Sequence, residues 1–83
     1  MMGWRFWERR QRKLPRRVKA YLAKEFGISS EQTMHLRCFQ QKGMFAGRKV
    51  ISLKIFDVSA PDQIRFEGYR ENSHVHLHKR NRI

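Results

Sequence analysis

Residues 34–58 read MHLRCFQQKGMFAGRKVISLKIFDV, and the fold turns on how they pair. Met34, Leu36 and Cys38 alternate with His35, Arg37 and Phe39, the period of a half-buried strand. Ile51, Leu53 and Ile55 repeat that alternation, with Ser52 and Lys54 facing away. Between the two rows, Gly43 and Gly47 bracket Met44, Phe45 and Ala46. A hairpin loop with a glycine at each shoulder is expected there, leading into a strand over residues 48–58.

The pattern continues downstream. Ala60-Pro61-Asp62 is a turn signal, because proline presets the backbone at the first corner. Ile64 and Phe66 alternate with Arg65 and Glu67, predicting a third strand that ends near Arg70. After Glu71-Asn72-Ser73, Val75 and Leu77 between histidines predict a short fourth strand. Upstream, Ser29 to Gln32 read as a polar connection. Before it, Val18, Tyr21 or Leu22, and Phe26 make one helical stripe. Pro15 suits the first position of that helix, and Gly27 suits its left-handed close, with Ile28 as the cap contact. Short links force antiparallel neighbours. The expected fold is therefore α+β: an N-terminal helix packed on a three- to four-stranded antiparallel meander sheet. Residues 1–14 are expected to form a basic aromatic arm or short helix, 15–78 a single α+β domain, and 79–83 a basic C-terminal tail.

The chain has 83 residues, a net charge of +12 and 40% apolar residues, enough for a modest core. That size excludes a large enzyme with a deep enclosed site. No stretch approaches the roughly 20 apolar residues of a spanning helix. The start, MMGWRFWERRQRK, has neither an apolar signal region nor a small-residue cleavage site. Cys38 is the single cysteine, so no intrachain disulfide forms, and a cytoplasmic location is expected.

Charge is loaded on the ends. Residues 1–19 carry eight basic side chains against Glu8 alone, whereas residues 20–69 carry seven against five acidic ones. A self-repelling cluster costs folding stability, which points to an anionic partner. Arg5, Arg9, Arg10, Arg12, Lys13, Arg16, Arg17 and Lys19 supply candidate phosphate contacts. Trp4 and Trp7 are placed to stack on unpaired bases. The competing readings of the same tryptophans are insertion at an anionic membrane surface, docking on a protein, or cover for the second sheet face carrying Val50, Phe39 and Phe56.

Catalytic signals are weak. His35 and Cys38 would point to opposite faces of a strand, so Cys38 reads as core. No carboxylate pair is spaced for acid–base work, and the glycines at 43 and 47 join two strands rather than opening a helix. His74, His76 and His78 share one strand face, as three zinc ligands do. Val75 and Leu77 filling the core would produce the same alternation, and the nearby Lys79, Arg80 and Arg82 would repel a dication. The sequence therefore predicts a small, basic, non-enzymatic protein without metal or cofactor. RNA, a ribonucleoprotein or another polyanion is the expected partner. The alternative is a protein-interaction or small assembly subunit, peripheral at an anionic membrane surface. No small-molecule substrate is evident.

Overall fold

Backbone pairing in the computed structural model, which describes residues 10–80, builds one antiparallel sheet with strands in sequential order. Its elements are β1 (Arg12–Lys13), α1 (Arg16–Phe26), α2 (Ser30–Thr33), β2 (Leu36–Phe45), β3 (Arg48–Asp57), β4 (Ile64–Glu71) and β5 (His74–Lys79). The described residues thus form an α+β domain with five strands, not three or four. The extra strand is β1, whose Arg12 and Lys13 pair with Cys38 and Arg37. Its two residues are too few to display an alternation.

The central hairpin is tighter than expected. Gly43 does not shoulder a loop; it lies within β2 opposite Val50, and pairing continues to Phe45 opposite Arg48. The turn is the dipeptide Ala46-Gly47, at φ values of 54° and 78°. Positive φ at both corners is the two-residue turn whose twist matches that of the strands. Glycine accepts this geometry freely, whereas alanine is strained by about 1–2 kcal/mol. Met34 is exposed and lies outside β2, another departure from the predicted strand.

Helix α1 begins after Pro15, which occupies the N-cap, one position before the site expected for it. It ends at Gly27 in the left-handed conformation, whose N–H donates to Ala23; the Ile28 N–H reaches Leu22. Ser29 to Gln32 contain a feature beyond a polar link. The Ser29 hydroxyl accepts from the Gln32 N–H at 3.1 Å, and the Gln32 side chain accepts from the Ser29 N–H at 2.9 Å. This reciprocal cap starts the single turn of α2.

Val18 and Leu22 are fully buried in one cluster with Leu36, Cys38, Leu53, Ile55, Phe66, Val75 and Leu77. Tyr21 donates to the Leu77 carbonyl oxygen at 3.1 Å, and the Phe26 ring lies 5.0 Å from Phe66. The register puts Cys38, Ile55 and Phe66 in one row across three strands, and Leu53, Gly68 and Leu77 in the next. A register shift between Ile55 and Phe56 then brings Ile64 opposite Phe56. Phe56 is fully buried on the second face of the sheet, 4.5 Å from Phe39.

Two glycine positions test this packing. A Cβ at Gly68 would run into the His76 carbonyl oxygen and lie 2.8 Å from the Leu77 Cα, whereas one at Gly43 meets nothing within 4 Å. Gly68→Ala is therefore expected to lower stability by about 1–3 kcal/mol or more in urea unfolding, while Gly43→Ala costs nothing measurable. At the hairpin turn, Ala46→Asn installs the residue that best accepts a left-handed backbone. It should raise stability by about 1 kcal/mol without changing the denaturant slope.

Candidate nucleic-acid interface

The basic residues proposed from sequence fall into two groups. Trp4, Arg5, Trp7 and Arg9 lie outside the described residues. Arg10, Arg12, Lys13, Arg16, Arg17 and Lys19 occupy one continuous run through β1 and the start of α1. Arg10, Lys13, Arg16 and Arg17 are exposed, and Arg12 and Lys19 are half-buried. Helix α1 has no acidic residue in its first turn and no side-chain cap at Pro15. The Val18 and Lys19 N–H groups donate to the Pro15 carbonyl oxygen, so Arg16 and Arg17 themselves hold the N–H groups left without a helix partner, at the positive end of the helix dipole. Each exposed cation there costs about 0.3–1 kcal/mol instead of stabilising the helix. Among the described residues, neither arginine is ion-paired to a carboxylate. This end of the molecule is electropositive in both its side chains and its backbone.

The second sheet face supplies a different surface. Cross-strand register pairs Gly43 with Val50 and Glu71 with His74. The adjacent row runs Gln41, Ser52, Tyr69 and His76. Gly43 and Ser52 are small and Val50 is short, so a trough of about 430 Å³ opens over them, bounded by Phe45, Arg48, Tyr69 and Glu71. Arg48 holds the Glu71 carboxylate at 3.0 Å, and Tyr69 lies 5.6 Å from the His76 ring. Met44 and Phe45 are 65% and 71% exposed.

Sequence reading missed this trough because it assigned Met44 and Phe45 to a loop. The available signal was Ala46-Gly47 as a complete two-residue turn. Once the hairpin is that tight, Phe45 must face Arg48, and Gly43 must face Val50.

The weaker candidates are dispersed. Cys38 is reduced and fully buried, with the Gln40 amide 4.0 Å from its sulfur. His35 is exposed. The Asp57 carboxylate accepts from the Ser59 hydroxyl at 2.6 Å and the Ser59 N–H at 2.9 Å, which hold its pKa below the ordinary aspartate value. It is an ionised turn cap, unsuited to donating a proton at neutral pH. No helix of the described residues is long and apolar enough to cross a membrane.

His74, His76 and His78 are exposed and stand opposite Glu71, Tyr69 and Glu67. Arg48 engages Glu71, and Arg80 lies 3.7 Å from Glu67. Among the described residues, no three His, Cys, Asp or Glu side chains converge in a geometry that could hold a metal ion. Untagged protein is expected to carry no stoichiometric zinc by elemental analysis, and chelator to leave its Tm unchanged. One metal per chain, lost together with stability, would reverse that expectation. In comparisons with known protein families, curated proteins and solved structures, the chain matches none.

Proposed function

We propose that the protein is a non-enzymatic RNA-binding protein of the cytoplasm, acting on RNA alone or within a ribonucleoprotein. Its basic N-terminal run supplies the phosphate contacts. The observation that carries this reading is the pair Arg16 and Arg17 in the first turn of α1, exposed, without acidic partners among the described residues and opposed by the helix dipole. A phosphate seated there would meet two guanidiniums and the backbone N–H groups of Arg16 and Arg17 together, converting a folding cost into binding. Arg10, Lys13 and Lys19 flank them in the chain, and the net charge of +12 favours fast encounter with a polyanion. Trp4 and Trp7 are proposed to stack on unpaired bases.

The competing reading is a protein-interaction or small assembly subunit at an anionic membrane surface. The exposed apolar tip of Met44 and Phe45 favours it. Tryptophan fluorescence separates the two readings. A blue shift with anionic vesicles and none with RNA would select the membrane.

Salt dependence tests the main reading. Log affinity for single-stranded RNA should fall linearly with log salt, with a slope of about −0.7 per neutralised phosphate. Arg16→Gln with Arg17→Gln should flatten that slope by about 1.4 if each arginine neutralises one phosphate. The same double variant should keep or raise Tm, because it removes the conflict with the helix dipole. Unchanged binding and slope would remove this end of the helix from the interface.

A further inference from the structure

The trough beside the Ala46-Gly47 turn lies on the opposite sheet face from the buried cluster that contains Val18 and Leu22. It has aromatic walls and a floor of small residues, in a chain with a large positive charge. Its volume falls in the range of roughly 300–1,000 Å³ typical of clefts that bind small ligands. Phe45 and Tyr69 both line it, on strands that β3 separates. Nothing within 4 Å fills the space above Gly43.

Charge decides which flat ligand suits it. Arg48 lies on the rim and is largely exposed, whereas Lys42 and Lys49 leave the same hairpin from the opposite sheet face. Glu71 is the acidic group in the lining. Its carboxylate is 18% exposed and tethered by Arg48, so it would repel a phosphate from the floor. The same carboxylate would accept a hydrogen bond from an amino group. The trough thus favours a ring with an N–H₂ edge inside and an anionic backbone outside.

We infer that this trough seats one unpaired base of single-stranded RNA. The base stacks on Phe45 and Tyr69, Glu71 accepts from its exocyclic amino group, and Arg48 meets the adjoining phosphate. The inference rests on the RNA-binding reading and adds a second contact region to it. Adenine, cytosine and guanine all present an exocyclic amino group from which Glu71 can accept. Uracil presents an N–H flanked by two carbonyl oxygens, which the carboxylate repels. The site therefore discriminates by base, whereas the arginines of α1 read only phosphate.

The experiment compares full-length protein binding to oligoadenylate, oligocytidylate and oligouridylate RNA of equal length at fixed salt. Oligouridylate should bind weakest. Phe45→Ala and Tyr69→Ala should each weaken oligoadenylate binding by roughly 5- to 150-fold, the range for losing one base–aromatic stack. Both should leave the salt slope unchanged. Phe45→Leu keeps an apolar side chain and should lose binding as Phe45→Ala does. Glu71→Gln should narrow the gap between oligouridylate and oligoadenylate, since a neutral amide both donates and accepts. Circular dichroism checks that each variant remains folded. Wild-type affinity in Phe45→Leu and Tyr69→Ala, with the salt slope intact, would overturn the trough as a site and leave the RNA reading standing. No binding of any of the three RNAs by wild-type protein at low salt would overturn both.

Discussion

The Ala46-Gly47 turn sets the register of the β2–β3 hairpin, and both faces of the sheet depend on that register. Side chains alternate with a period of two, so a slip of one residue would send Leu53 and Ile55 to the second face and Ser52 and Lys54 into the cluster with Val18 and Leu22. The burial of that row therefore enforces the turn, even though Ala46 pays a conformational penalty there. The same register closes the trough. Phe45 reaches its rim because pairing persists to the last residue before the turn, and Gly43 leaves the floor open because it is paired instead of looped.

Much of this architecture is legible from residue order. Ile51, Leu53 and Ile55 announce a strand by alternation, and Gly27 announces the end of a helix by its conformational freedom. Elements specified by local chemistry of this kind appear close to their predicted places. Other features depend on partners distant in sequence. Arg12 and Lys13 form a strand only because β2 offers a margin to pair with. Tyr69 borders a trough only because the register sets Ser52 between it and Gln41. The reciprocal cap of Ser29 and Gln32 was written in the sequence, yet four polar residues read equally well as a link.

The two surfaces carry charge in different ways. Around the start of α1, Arg16 and Arg17 have no acidic partner among the described residues, and the backbone adds to the field rather than offsetting it. On the second sheet face, Arg48 and Arg80 are paired with Glu71 and Glu67, so these cations are offset by carboxylates fixed beside them. The first surface suits a ligand recognised by charge density alone. The second suits one recognised by its edges.

The sequential strand order also bears on how the chain reaches this structure. Pairing of β2 with β3, β3 with β4, and β4 with β5 joins segments separated only by short connections. Such local pairings require little loop-closure entropy and favour rapid zipping of a meander. The pairing of β1 with β2 is different, because both helices lie between its partners. Closing that loop follows most naturally once the meander has formed and its apolar face can receive Val18 and Leu22. On loop-closure grounds the cation-rich run through β1 and α1 is expected to be fixed after the meander. Its mutual repulsion bears on the final step of assembly, while the sheet that holds the trough is already in place.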